Sequence, residues 1–502
     1  MSITSYIFAG TAVAFTALLG YLSSKTSAPA ANARKLGARL PPGPKQNPFL
    51  GNISNFPQER WYLKFLEWQR EFGDLVFINL NVAGVTMLVV NSLEIAEELG
   101  DRRTKVYSSR AQTTMLGDLM YTGWTLLGLS VGPKFFEQRR IAQKAVGPTA
   151  APQYDEIIQE HIASLIKDLP STSGDPFDAI TPSLGAIIAK VAYGRNFYEK
   201  HGDDLIKLSL ENMELVVSIM TKFWAVDLFP FLRHIPAWFP GAEFRRIGQR
   251  GTYMGRKIQM EPFEFVEKSM AEGTADDSLL SRFLPDSSVS RENVRDITVT
   301  MVSASVDTTS TMITHFLYAM ALHPDWQKKV HNELDALIGD GRAPSFSEIE
   351  GLNYFNATWK ESIRWKVVAP LVIPHATSEP DIWNGFYIPE GCIVHWNVGF
   401  MLHDPRIWGE TSEEFDPGRF MVQSDLPDPT WLPFGFGRRI CAGRFLAQRM
   451  AMQFAAAILS AFEVVPLKTD DGQTLGPGNT TYHEHTVRRV ANFRCRYVPR
   501  HA

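Results

Sequence analysis

Phe434 to Gly443 reads FGFGRRICAG, with Trp431-Leu432-Pro433 before it and an apolar run of helical period from Arg444 after it. Every fixed position in this stretch can be given a task around one sulfur. Of the three cysteines (Cys392, Cys441, Cys495), only Cys441 has neighbours that favour a thiolate. Arg438 and Arg439 are cationic, and the helix that follows offers free backbone N–H groups at its start. Gly435 and Gly437 suit a tight loop that needs positive φ, and Gly443 lets backbone approach a flat ligand closely. Phe434 is placed to shield the sulfur from water. The alternative is a buried structural cysteine in a glycine-rich turn, the usual state of a free Cys. The spacing FxxGxRxCxG has chance odds on the order of 10⁻⁴ in a chain this long, so the functional reading is favoured.

The chain has 502 residues and a net charge of −4, which argues against general nucleic-acid binding. Three cysteines at no framework spacing exclude a disulfide scaffold and suit a reducing compartment. Ile3 to Leu22 carries no charge and is long enough to cross a hydrocarbon core of ~30 Å. Lys25, Arg34, Lys35 and Arg39 follow, which keeps the body on the cytosolic side. A cleaved signal peptide is the alternative, but no basic residue precedes the apolar run. The expected organisation is therefore a membrane anchor over 1–24, an Ala- and Ser-rich linker over 25–40 and a stiff proline-rich hinge over 41–44. A single large body over 45–502 completes it.

Along that body the spacing predicts a helix over Trp61 to Phe72 and strands over Leu75 to Leu80 and Thr86 to Val90, joined by a turn at Asn81 to Gly84. Ser109 to Gly132 breaks the pattern yet is too hydrophobic to be disordered, so it reads as a functional loop. A basic helix follows Gly132, carrying Phe135, Arg139, Arg140 and Lys144. Further helices are expected near Pro152 to Leu169, Phe177 to Arg195, Asp203 to Lys222 and Gly241 to Met270. Between the last two lies Phe223 to Gly241, dense in aromatics and prolines. Ser290 caps a long predicted helix ending at Leu322, where His323-Pro324 stops it. Its middle, Ala304 to Thr311, is rich in Ser, Thr and Asp, which compete for backbone hydrogen bonds and bend helices. Glu361-Ser362-Ile363-Arg364 places Glu361 and Arg364 on one helix face. Four other ExxR pairs occur (Glu67/Arg70, Glu137/Arg140, Glu243/Arg246, Glu292/Arg295), so that pattern alone selects nothing. Pro417-Gly418-Arg419-Phe420 lies between Glu361 and Cys441, and Pro374-His375-Ala376 precedes a strand-like stretch from Gly385 to Trp396.

Taken in this order, the segments resemble the cytochrome P450 family of heme-thiolate monooxygenases from Pro41 to Pro499, and look most like its fungal microsomal members. The resemblance implies a mainly α fold with a smaller β region, a single N-terminal transmembrane helix and one heme b. Cys441 is then the axial iron ligand, and its thiolate pushes electron density that favours O–O cleavage. Arg439, Arg139 and His375 hold heme propionates, with Phe434, Gly437 and Gly443 shaping the loop. Phe135 stands where the family has Trp, so one indole N–H contact is lost. Asp307 and Thr308 match an acid–alcohol pair for proton delivery, with Ser305 where glycine is usual. Glu361, Arg364 and Arg419 form a structural brace. The implied reaction inserts one oxygen atom from O₂ into an apolar terpenoid, polyketide or xenobiotic. No phosphate loop or dinucleotide fingerprint is present. Electrons therefore come from NADPH through a separate cytochrome P450 reductase, docking near Arg438 and Lys144, with cytochrome b5 as a second donor. The implied location is the endoplasmic reticulum membrane, single-pass, catalytic domain cytosolic. Two other classes remain open: a heme-thiolate peroxygenase, isomerase or dehydratase, and a membrane-tethered heme sensor without turnover.

Overall fold

The computed structural model describes residues 20–501, apart from 81–84, 221, 223, 340–341, 423–424, 469–471 and 485. The turn expected at Asn81 to Gly84 and most of the apolar span Ile3 to Leu22 lie outside the described residues. Among those described, no helix is long and apolar enough to cross a membrane.

The fold is mainly helical and organised around one helix, Arg291–Leu322. Ser290 starts it by accepting the Asn293 N–H on its hydroxyl, one of the donors a helix start leaves unpaired. At 1.5 Å per residue its 32 residues extend for about 48 Å. The helix continues without a break through Ala304 to Thr311, so the polar patch does not interrupt it. From Thr309 to Ala321 every residue is buried. Around it pack Pro133–Val146, Pro176–Tyr193, Asn353–Trp365 and Arg444–Ala461. Ala451, Ala455, Ala456 and Ala457 on the last of these are buried and small, which lets helix axes approach.

Strands make up the smaller part. A four-stranded sheet runs in the order Leu75–Leu80, Val85–Val90, Ile393–Trp396, His375–Ala376. Its first pair is an antiparallel hairpin, whereas Val85–Val90 lies parallel to Ile393–Trp396, with Met87 opposite Ile393. Period-2 alternation divides its side chains between two apolar clusters. Leu75, Phe77, Leu88, Val90, Val394 and Trp396 enter one, and Val76, Ile78, Met87 and Val89 enter the other, with Phe65 and Trp68.

The helix Trp61–Phe72 and the strand Leu75–Leu80 coincide with their sequence-based expectations. Three stretches differ. Residues 20–35, expected as linker from 25, are helical, which suits their alanine content. Thr26 there is buried, its hydroxyl donating to Phe49 O and its carbonyl accepting from Asn79 Nδ2. The helix expected from Asp203 begins at Arg195, because Gly194 with φ +95° ends the preceding helix and the next starts at once. The stretch Gly385 to Trp396 is two strands, Phe386–Ile388 and Ile393–Trp396, in different sheets.

Candidate active site

The loop Phe434 to Gly443 is closed by the Cys441 N–H, which donates to Phe434 O at 2.8 Å. Gly435 and Gly437 have φ +84° and +57°, a region costly for other residues. A side chain at Gly437 would also collide with Gly100 O and the Thr104 side chain, against which the loop docks. Gly437 N–H donates to Asp101 Oδ1 at 2.6 Å and Arg438 N–H to Thr104 Oγ1 at 3.0 Å. Gly443 has an ordinary φ of −87°, and the space beside its Cα is open, Cys441 Sγ being the nearest atom at 4.0 Å.

Cys441 is solvent-accessible by surface, yet enclosed so closely that burial is the main influence on its thiol. Burial raises the thiol pKa, opposed by the Gly443 and Arg444 amides and by the charges of Arg139 and Arg444. The amides at the start of the following helix act as expected from sequence, but the charges are Arg139 and Arg444 rather than Arg438 and Arg439. Arg438 stacks over Phe136 at 5.7 Å, and Arg439 points elsewhere. The thiol is not pre-ionised by its neighbours, so binding a metal would be what removes its proton.

Arg439 donates to Ser108 O, Leu126 O and Leu129 O, and its guanidinium lies 4.2 Å from the Phe135 ring centroid. The phenylalanine in place of tryptophan thus supplies a ring face where an indole N–H was lost. Arg139 donates to Ile440 O at 2.5 Å. A third guanidinium was not singled out from sequence: Arg110 donates to Leu127 O, Ile373 O and Pro374 O. A lone cation inside the hydrophobic stretch Ser109 to Gly132 was the available signal. His375 donates Nδ1–H to Tyr107 O at 2.7 Å.

Among the described residues no carboxylate pairs with Arg110, Arg139 or Arg439. Burial lowers the pKa of all three, and Arg439 adds repulsion at Arg110 as Arg139 does at Arg439. Arg439 is pushed down to about 10, and burial, with Arg110 and Arg439 nearby, holds His375 well below its usual value. Buried cations without a counter-charge are costly, which marks the place of an anionic ligand.

Behind the loop, Glu361 and Arg364 are wholly buried, with Arg364 Nε donating to Glu361 Oε2 at 2.7 Å. Arg419 Nε reaches Glu361 Oε1 at 3.2 Å, so the three residues form one network. At three of the other four ExxR positions the arginine bonds elsewhere: Arg140 to Ser288 O, Arg246 to Ala237 O and Arg295 to Asp296.

Thr308 Oγ1 donates back to Ala304 O at 2.8 Å. A cavity of about 250 Å³ opens against the same long helix at Val299, Thr300 and Ser303, one turn before Asp307 and Thr308. Arg110, Met87, Val216 and Ile373 line other sides of it. Its cover comes from the aromatic stretch: Asp227 accepts the Met115 N–H at 2.7 Å, and Arg233 pairs with Asp118 at 2.8 Å. Phe231 and Trp238 in that cover are 68% and 79% exposed, apolar surface turned away from the body.

A mainly helical chain that sets unpaired buried cations within electrostatic reach of one another and of a loop cysteine has the make-up of a heme-thiolate oxidoreductase. Residues 41–481 match the family model for cytochrome P450, and the chain belongs to that family as a P450 monooxygenase. It is 33% identical over 482 residues to cytochrome P450 monooxygenase COX2 of Coprinopsis cinerea, covering 93% of this chain and 90% of that one. It is 32% identical to cytochrome P450 monooxygenase 98 of Postia placenta, covering 92% and 90%. To cytochrome P450 monooxygenase claR of Ampulloclitocybe clavipes it is 30% identical, covering 92% and 87%. The family implies a heme-thiolate cofactor, and the residues present fit one. Cys441 offers the sulfur, and the unneutralised guanidiniums match two propionates.

Proposed function

We propose that this chain oxidises an apolar small molecule of the terpenoid, polyketide or xenobiotic kind with O₂. The observation that carries the reading is the convergence of Arg110, Arg139, Arg439 and His375, without a carboxylate partner among the described residues: Arg139 acts on Cys441 and on Arg439, and Arg439 acts on Arg110 and His375. Cys441 would ligate the iron of heme b, and Arg439 and Arg139, with His375 and Arg110, would hold its propionates. When bound, heme supplies oxygen activation. Phe434 and Gly437 fix the loop geometry, and Gly443 leaves room for a flat ring. Asp307 and Thr308 act as the proton path. The Thr308 hydroxyl, now turned to Ala304 O, swings toward the cavity to hold a proton there, and Asp307 links it to solvent. Glu361, Arg364 and Arg419 keep the cysteine loop in register and retain the cofactor.

Electrons come from NADPH through a separate membrane-bound reductase, or through cytochrome b5, on the face carrying Arg438 and Lys144. An anchor over 1–24 holds the chain on the cytosolic side of the endoplasmic reticulum membrane, and the exposed Phe231 and Trp238 suit a second contact with lipid. The test is the absorbance of the reduced protein with CO. Wild type, Cys392→Ala and Cys495→Ala should show the red-shifted Soret band of thiolate ligation, and Cys441→Ala should lose it. An unchanged band in Cys441→Ala would overturn the assignment.

A further inference from the structure

One buried side chain on the cavity wall is unaccounted for by heme binding, proton delivery or the brace. His395 sits on the strand Ile393–Trp396, opposite Val89 in the parallel pairing. Alternation sends Val394 and Trp396 into one apolar cluster, and His395 to the face shared with Phe65 and Trp61. Its ring lies 5.4 Å from Phe65 and 5.9 Å from Trp61, both edge-on. It is 3% exposed, and among the described residues neither Nδ1 nor Nε2 has a hydrogen-bond partner. It also borders the cavity.

A buried polar group with both positions unsatisfied destabilises a fold unless something else satisfies it. Phenylalanine would fill the same place beside Phe65 without that cost, so packing alone does not explain an imidazole here. The neighbouring lining, Val85, Met87, Ile373 and Ile393, is apolar. A second orphan faces the same space: Oδ1 of Asn212, on the helix Arg195–Met220. Burial holds the His395 pKa down at about 4, so at neutral pH the ring carries one N–H and one lone pair. A hydroxyl both donates and accepts, so it can pair with whichever ring nitrogen faces the cavity, N–H or lone pair. A carboxylate could accept the N–H but would bring a charge into this apolar part of the lining, and a hydrocarbon would leave both nitrogens unpaired.

We propose that His395 is a specificity-determining residue that binds the hydroxyl of a lipophilic alcohol at the sheet end of the cavity, leaving the hydrocarbon part along Met87, Val216 and Val299. The substrate is then already oxygenated once, so the reaction class that supplies it places a hydroxyl on a hydrocarbon skeleton. This deepens the monooxygenase reading and rests on it for the chemistry, though not for the binding.

The test uses the full-length, heme-loaded protein with three probes of one skeleton: 2-decalol, 2-methoxydecalin and decalin. Binding is read by calorimetry. Wild type should bind the alcohol about tenfold more tightly than the hydrocarbon, the worth of one good buried hydrogen bond, with the ether between. His395→Phe should bring the alcohol and the hydrocarbon to similar affinity while leaving decalin binding unchanged. His395→Gln, which keeps a donor and an acceptor, should restore part of the preference. If His395→Phe does not fold, as judged by its CO band, the His395→Gln comparison and the wild-type ratio still decide. Equal binding of alcohol and hydrocarbon by wild type, or an undiminished preference in His395→Phe, overturns the proposal. A wild-type alcohol preference in a protein lacking the thiolate CO band would instead overturn the oxidation reading and leave this assignment standing.

Discussion

Removing the Glu361 carboxylate should cost far more stability than removing an exposed one. Glu361 accepts four hydrogen bonds: two from Arg364 at 2.7 and 2.8 Å, one from Arg419 at 3.2 Å and one from the Asp416 N–H at 2.8 Å. In Glu361→Ala, Arg364 keeps its bonds to Leu402 O, Ser412 O and Glu414 O, but its charge stays buried with no carboxylate beside it. Breaking a buried pair from one side costs about 3–5 kcal/mol. An unfolding entropy of about 2.1 cal/mol/K per residue comes to about 1 kcal/mol/K for a chain of this size, so Tm should fall by about 4 °C. Glu67, 60% exposed beside Lys64, is the control, and Glu67→Ala should shift Tm by under ~1 °C. The assays are thermal unfolding by circular dichroism at matched heme content and the rate of heme transfer to a scavenger. Glu361→Ala should also release heme faster, because Asp416, whose N–H Glu361 holds, leads into the segment approaching the cysteine loop. A Tm within ~1 °C of wild type, with unchanged heme release, would refute the reasoning.

Thr308→Ala should keep heme and NADPH oxidation but lower product per NADPH about tenfold, equivalent to ~1.4 kcal/mol of barrier, with hydrogen peroxide making up the difference. Because Ala is the better helix former, a purely structural Thr308 predicts unchanged coupling. Deleting residues 1–24 should abolish tight membrane pelleting and spare the CO band, since the cut leaves Thr26 and its contacts with Phe49 and Asn79 in place. Loss of heme on deletion would contradict that boundary. The fold should also be acid-labile through buried neutral histidines. His315 is held down at about 3 and His331 and His395 at about 4, all chiefly by burial. Their folded pKa lies below the unfolded value near 6.5, so their stability is full above that pH and is lost as pH falls toward about 4. For His395 this is on the order of 3 kcal/mol, and the slope of Tm against pH in that window should flatten in His395→Phe. Parallel curves would show that His395 is not buried as described.

Local patterns and tertiary environment were unequally readable from sequence. The long helix was legible because a serine cap and a His-Pro stop bracket it, both local in the chain. Glu361 could be separated from four other ExxR pairs only by its order relative to Arg419 and Cys441, and the buried network with Arg419 is what distinguishes it physically. The surroundings of Cys441 were less legible. Arg438 and Arg439 adjoin it in sequence, but the 3₁₀ turn Gly437–Arg439 directs them away. The charges that reach the sulfur come from Arg444, three residues on, and from Arg139, some 300 residues earlier, and no periodicity reports the second contact. Arg110 and His395 escaped notice for the same reason. Arg110 stands out only as a lone cation in a hydrophobic stretch and His395 not at all, and each acquires meaning only from what surrounds it in space.

The parallel pairing of Val85–Val90 with Ile393–Trp396 bears on how the chain is made. On the ribosome the hairpin Leu75–Leu80/Val85–Val90 emerges early, and its outer strand stays without a neighbour until roughly 300 more residues have been added. At about 5–20 residues per second that wait is on the order of 15–60 seconds. Throughout it an apolar strand offers open N–H and C=O groups to any passing chain. Final closure of this sheet is therefore late and non-local, the slow kind of step in folding. Yield in a heterologous host should depend more on translation speed and chaperone supply during that interval than on the stability of the finished protein.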